Sequence, residues 1–366
     1  MFNIINYAYN KSMNRKHLLI IILFVFMGIS CMNLYSYDFL MFKKQIIWYF
    51  ISFVMLIFMM KFRLNKIIKY VFLLYIVFNV LLLYLLLFGD VINGSKAWIN
   101  IGFISFQPSE FMKIILLLLL SYVSTYYDKY ILKCIVLTLI PSILTFLEPD
   151  TGNVIFYLVI LFSIFIYKND IKRFMYLVLI VFIFLGMLFI SYYYFKDIFI
   201  NIFGSSFFYR IDRVINLFNN ETYQLNMGLT GIVSRLVIGG DITNVVIPEA
   251  GTDFMFSYLI MNSGFIVLII YLIINLVFNL ILIDSIKNTV GISKLVIFVF
   301  LIMKIFQEGI HIMMNIGLFP ITGIPLPFIS YGGSSILSYF IIVGIIISSY
   351  MDMEDMDKVE VYNKLV

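Results

Sequence analysis

The chain is threaded by apolar runs long enough to cross a lipid bilayer, and nothing else restricts its fold as much. A spanning helix needs roughly 17–25 predominantly apolar residues. Ten segments read this way: 17–35, 45–61, 67–89, 108–125, 130–147, 151–167, 172–196, 254–283, 293–318 and 331–350. In hydrocarbon every backbone N–H and C=O needs an internal partner, so uninterrupted runs of this length fold as helices. The expected fold is an all-α integral membrane protein, a single polytopic domain over 1–366. A long extracytoplasmic loop, 197–253, joins spans seven and eight. Charged residues are only 12% of the chain, against about a quarter in soluble domains.

Lys and Arg placement sets the orientation. With a cytoplasmic N-terminus, the inner segments carry Lys11, Arg15 and Lys16; Lys61, Arg63, Lys66 and Lys69; Lys129 and Lys133; Lys168, Lys172 and Arg173; Lys287 and Lys294; Lys358 and Lys364. Both termini are therefore expected in the cytoplasm. The net charge of +5 reflects this topology and attraction to anionic inner-leaflet lipids, and gives no support for nucleic-acid binding. The first apolar run lacks a small-residue cleavage site after it and reads as a span, not a removed signal. Cys31 and Cys134 fall near opposite ends of their spans, which argues against a disulfide. With only His17 and His311 present, no Cys/His metal cluster is expected.

Residues able to do chemistry gather in four outer segments, 94–110, 148–152, 197–253 and 320–335, together with every proline except Pro141. Irregular backbone at membrane depth is tolerated where protein or a wet cavity satisfies it, so the site is expected on the extracytoplasmic side. Asp253 directly precedes the apolar run that opens at Phe254. A carboxylate there can meet a lipid head group; it can also cap span eight beside Thr252, with the helix terminus holding it charged. Between 94 and 110, one reading is an interfacial turn anchored by Trp98, with Ser109 or Glu110 satisfying free N–H groups of span four. The other brings Lys96 to a lipid phosphate. Glu148 and Asp150 read either as cap acids or as ligands for a cation or sugar hydroxyl, since acids at this depth are costly unless paired. Arg210 and Arg213, three apart, would share a helix face, either turned toward water on an interfacial helix or offering guanidinium forks to phosphate. The stretch 320–335 holds three prolines and Gly332-Gly333, which permit close backbone approach; by itself it reads as a re-entrant turn.

Taken together, GSKAWINIGFISFQPSEFMK (94–113), EPDTG (148–152), Tyr223-Gln224, IPEAGTDFMF (247–256), Gln307 and PITGIPLPFISYGGSS (320–335) resemble one family. In order, and over essentially the whole chain, they match the SEDS family (shape, elongation, division and sporulation) of RodA-, FtsW- and SpoVE-like proteins. The resemblance implies a ten-span peptidoglycan glycosyltransferase that polymerises lipid II into β-1,4 glycan strands. It would act on the outer face of the bacterial cytoplasmic membrane, in elongation, division or sporulation, beside a class B penicillin-binding protein. Asp253 is the implied catalytic carboxylate, as general base or as the group that orients the acceptor hydroxyl. The implied substrate-binding residues are Lys96, Trp98, Gln107, Glu110, Asp150, Arg210, Arg213, Tyr223, Gln224, Glu249, Thr252, Ser330, Tyr331, Gly332, Gly333 and Ser334. Lys96, Arg210 and Arg213 would meet the diphosphate, with a divalent cation (Mg or Mn) as a further expectation and no organic cofactor. Departures from the family pattern fall at Ala97, Gly251, Asn262-Ser263 and His311, and in the glycine-poor stretch before Asp253. The competing functions are a lipid II transporter (flippase) and a non-catalytic scaffold of a wall-synthesis complex.

Overall fold

The computed structural model describes residues 2–90, 95–101, 104–172, 175–176, 194, 223–234 and 246–365. Ten helices lie among these residues: α1 (Phe2–Tyr37), α2 (Phe39–Met60), α3 (Leu64–Phe88), α4 (Pro108–Tyr126), α5 (Tyr130–Leu147), α6 (Thr151–Tyr167), α7 (Tyr223–Val233), α8 (Met255–Asn288), α9 (Gly291–Asn315) and α10 (Gly333–Leu365). A short antiparallel hairpin, β1 (Ile99–Ile101) and β2 (Ile104–Phe106), pairs Asn100 with Ser105. Among the described residues eight helices are long and apolar enough to cross a membrane; α6 is apolar but shorter, at 17 residues. Expected spans five and six coincide with α5 and α6. Most of the seventh expected span and of the 197–253 loop, with Arg210 and Arg213, lies outside the described residues.

Burial sorts the helices into an inner and an outer set. The inner helices are α4, α9 and the apolar part of α10. By contrast α2, α3, α5 and α8 expose much of their apolar surface, with Phe50, Phe72, Leu132 and Ile273 all turned outward. A bilayer requires this arrangement, because hydrocarbon takes the place of water around the periphery. Inner helices can then carry polar groups, provided each finds a partner. Lys304 on α9 is fully buried, and its ammonium donates to Glu308 Oε1 (2.5 Å), Asn275 Oδ1 (2.5 Å) and Asn279 Oδ1 (3.1 Å). All three ammonium hydrogens are thereby used, and α9 is clamped to α8.

The segment between α9 and α10 enters the core as irregular backbone. Phe328, at a left-handed φ of 63°, packs its ring against Phe26, Phe278 and Tyr339. Three successive carbonyls here are satisfied by side chains from α1 and α2. Tyr49 Oη donates to Phe328 O (2.5 Å), Ser30 Oγ to Ile329 O (2.6 Å) and Gln45 Nε2 to Ser330 O (3.2 Å). Non-helical backbone can sit among spanning helices on these terms, as the re-entrant reading expects.

Candidate functional site

Asp253 lies in a turn that feeds α8. The turn closes where Thr252 N–H and Phe254 N–H both donate to Glu249 O at 3.1 Å. The N-cap of α8 is Phe254, with no side-chain bond from its own residue, so the capping role expected of Asp253 is not realised. Side chains of α9 occupy that role. Phe256 N–H donates to His311 Nε2 (3.4 Å) and Ser257 N–H to Asn315 Oδ1 (3.0 Å). Acceptance at Nε2 leaves the His311 proton on Nδ1, which faces Ile324 O at 2.7 Å.

The Asp253 carboxylate is thus left available. Among the described residues none hydrogen-bonds it. Burial, and then the negative charge of Glu249, push its pKa up to about 6. Desolvation thus works against the charge-holding effect expected of the helix terminus, and the group stays ionised near neutral pH but loses its charge as pH falls through about 6. Glu249 itself is exposed and accepts from Thr252 Oγ at 3.1 Å.

Two glycines show what surrounds the carboxylate. A Cβ built at Gly323 would stand 3.8 Å from Asp253 Oδ2. A Cβ at Gly152, in the first turn of α6, would meet Ile324 at 3.3 Å and Thr322 O at 3.4 Å. Residues 322–324 therefore run between the start of α6 and the Asp253 carboxylate. From the other side α7 lies against the turn, since a Cβ at Gly228 would come within 2.8 Å of the Phe254 ring. Tyr223 and Gln224 head this helix, Tyr223 exposed and Gln224 half-buried. The re-entrant segment closes the base: Ser330 Oγ donates to Thr252 O and Tyr331 N–H to Gly251 O, both at 2.7 Å.

A second polar cluster forms at the start of α6. Asp150 Oδ2 accepts from Gln107 Nε2 (2.9 Å), Ser109 Oγ (2.8 Å) and Asn153 Nδ2 (2.9 Å), while Oδ1 caps α6 through Asn153 N–H. Ser109 and Glu110 do not cap α4, as one reading expected. Pro108 at its first position removes one free donor, Ser109 turns to Asp150, and Glu110 forms a 2.8 Å ion pair with Lys113. Glu110 and Lys113 are 4% and 1% exposed. Glu148 is fully buried, and among the described residues neither carboxylate oxygen has a hydrogen-bond partner. Burial, and then Asp150, push its pKa up to about 9, so it is an uncharged acid near neutral pH.

The remaining expected residues are placed as follows. Lys96 donates its N–H to Glu148 O (3.2 Å) and its ammonium to Leu86 O (3.4 Å), beside a half-buried Trp98. Ser334 Oγ joins the hairpin to α10, accepting from Gln107 N–H (3.0 Å) and donating to Ser105 O (3.4 Å). Gly332 N–H donates to Gln45 Oε1, and Gly333 lies against the Trp48 indole. The Ser330 and Ser334 hydroxyls are thus engaged within the protein. No group of three or more His, Cys, Asp or Glu side chains that could hold a metal occurs among the described residues.

The unusual residues are each packed or hydrogen-bonded locally. Gly251 leaves room for Leu34 and Tyr37, both 3.2 Å from where its Cβ would be. Asn262 and Ser263 donate to Asn33 Oδ1 at 3.1 Å, just before α8 breaks at Gly264. Ala97 is 2% exposed. Asn315 and the Lys113 partner of Glu110 were missed in the sequence reading. Their signal is spacing: Lys304, Glu308, His311 and Asn315 recur at intervals of four, three and four along one face of an apolar helix.

Comparison with known proteins agrees with this layout. The cell cycle protein family of FtsW, RodA and SpoVE matches residues 13–354. A probable peptidoglycan glycosyltransferase FtsW of Wigglesworthia glossinidia brevipalpis is 30% identical over 346 residues, covering 88% of this chain and 86% of that protein. Another, from Riesia pediculicola, is 30% identical over 377 residues, covering 98% and 99%. Among solved structures, a chain from a peptidoglycan synthase complex that coordinates polymerization and crosslinking superposes with a TM-score of 0.74 at 22% identity, covering 91% of this chain and 97% of that one. The rod shape determining protein RodA of Thermus thermophilus gives 0.63 at 21% identity, covering 91% and 96%. With its many apolar helices, the chain is a multi-pass membrane protein and belongs to the FtsW, RodA and SpoVE family of cell cycle proteins.

Proposed function

We propose that the chain is a peptidoglycan glycosyltransferase that polymerises lipid II on the outer face of the bacterial cytoplasmic membrane, with both termini in the cytoplasm. One observation carries this reading above the rest: the half-buried Asp253 carboxylate, free of hydrogen bonds among the described residues and titrating about 6. Such a group is ionised near neutral pH yet basic enough to take a proton. The acceptor 4-hydroxyl gives its proton to Asp253 as its oxygen bonds to the donor's anomeric carbon. The bond from that carbon to the diphosphate breaks, and undecaprenyl diphosphate leaves with the electron pair. Attack from the opposite face inverts the carbon and gives the β-1,4 linkage.

Charge grows on the diphosphate as it departs, and cations stabilise it. Lys96, Arg210 and Arg213 are assigned this part. A divalent cation, Mg or Mn, would add to it by neutralising charge on the diphosphate, although no group of three or more His, Cys, Asp or Glu side chains that could hold one occurs among the described residues. Gln107, Glu110, Asp150, Thr252 and the 330–334 segment build the floor of the site. Crosslinking would come from a class B penicillin-binding protein. The relative that forms a synthase complex supports such a partner.

The test is polymerisation by the purified chain in detergent with lipid II. Glycan strands longer than a disaccharide are expected. Translocation of lipid II in proteoliposomes with no polymer formed would instead identify a transporter.

A further inference from the structure

The polar face of α9 ends on the residue to which the chemistry has been given. At one end, Lys304 and Glu308 clamp α9 to α8 through Asn275 and Asn279. One turn on, His311 bridges Phe256 N–H and Ile324 O. At the other end stands Asn315, fully buried. Its Oδ1 accepts from Ser257 N–H (3.0 Å) and Ser257 Oγ (2.8 Å). Its Nδ2 donates to Asp253 O (2.9 Å) and to His311 O (2.8 Å). Two donors and two acceptor sites are all that a carboxamide has, so Asn315 is saturated and its orientation is fixed.

The Asp253 side chain presents the reverse case. With no hydrogen bond to its carboxylate among the described residues, only the backbone and the surrounding walls aim it. Whatever holds the Asp253 carbonyl therefore sets where its oxygens point. We propose that Asn315 is a positioning residue for glycosyl transfer, gripping the Asp253 carbonyl and the first turn of α8 together so that the carboxylate faces the acceptor hydroxyl. This rests on Asp253 being the base. The grip also keeps the carboxylate inside its desolvated niche beside Gly323; released, it turns toward water.

The experiment compares Asn315→Ala, Asn315→Gln and Asp253→Asn in lipid II polymerisation across pH, with melting temperatures measured in the same detergent. Ser285→Ala is the control for stability loss alone: it removes a buried hydroxyl bonded to Tyr350 at 2.6 Å, at the opposite end of α8. Asn315→Ala is expected to lower kcat by roughly 100-fold, the scale of a 1 Å misplacement, with KM for lipid II within about two-fold. Its acidic midpoint is expected to fall below that of wild type measured in the same assay. Asn315→Gln, which keeps the amide, is expected to fall between and to provide the reading if the alanine variant does not fold. Ser285→Ala is expected to melt earlier with its midpoint unmoved. Asn315 variants with the wild-type midpoint and only the loss seen in Ser285→Ala would overturn the positioning role while Asp253→Asn is dead. An active Asp253→Asn would overturn the assignment of the base itself.

Discussion

Asp253 Oδ2 and the backbone of Gly323 face each other across a gap that a single methyl group would fill, 3.8 Å from oxygen to the built Cβ. Gly323 also holds a φ of 71°, a region that costs a residue with a Cβ about 1–2 kcal/mol. Gly323→Ala is therefore expected to lower stability by about 1 kcal/mol and to slow polymerisation by placing a methyl group at contact distance beside the carboxylate, where the acceptor must approach. Thermal melting in detergent and initial rates on lipid II measure the two effects.

The pH dependence of turnover follows from the same carboxylate. A base must be ionised, and Asp253 loses its charge as pH falls through about 6. The rate kcat/KM is expected to drop about tenfold for each unit below that midpoint and to level off above it. A flat profile from pH 5 to 7, at constant lipid II, contradicts the assignment.

Glu110 and Lys113 are buried together, so removing one partner strands the other. Lys113→Met is expected to cost about 3–5 kcal/mol, the usual penalty for leaving an uncompensated buried charge. The double variant Glu110→Gln with Lys113→Met is expected to recover most of that loss. Melting curves of the two variants and the wild type provide the comparison; equal destabilisation by both contradicts the pairing.

Glu148 gives the opposite sign. Its folded pKa of about 9 lies above the ordinary 4.5, so between these values the folded state holds the proton more tightly. Stability linked to this group is fully present below about 4.5 and is lost as pH rises toward about 9. Glu148→Gln, permanently uncharged, is expected to melt no earlier than wild type at pH 7 and to gain on it up to pH 9. Chemical denaturation at several pH values checks the trend.

The fold was legible wherever a single helix explains itself. Expected spans 130–147 and 151–167 match α5 and α6 residue for residue, because charge and turn residues bound those apolar runs on both sides. Features that depend on distant partners were not legible. The carbonyl of Ile329 is satisfied by Ser30, 299 residues earlier, and nothing local to either residue announces the bond. The hairpin at 99–106 read only as a turn, its strands being three residues each. At the candidate site, Asp253 was singled out by its place at the membrane edge, whereas its release from helix capping depended on His311 and Asn315 of another helix. That substitution of one helix's side chains for another's own cap is a tertiary event.

Single-turnover reaction of purified Asp253→Asn with lipid II, beside wild type and at matched folded fraction, tests the central claim most directly. The account predicts a folded protein that still binds lipid II but forms no glycosidic bond and releases no undecaprenyl diphosphate. Polymer made by that variant at the wild-type rate would contradict it.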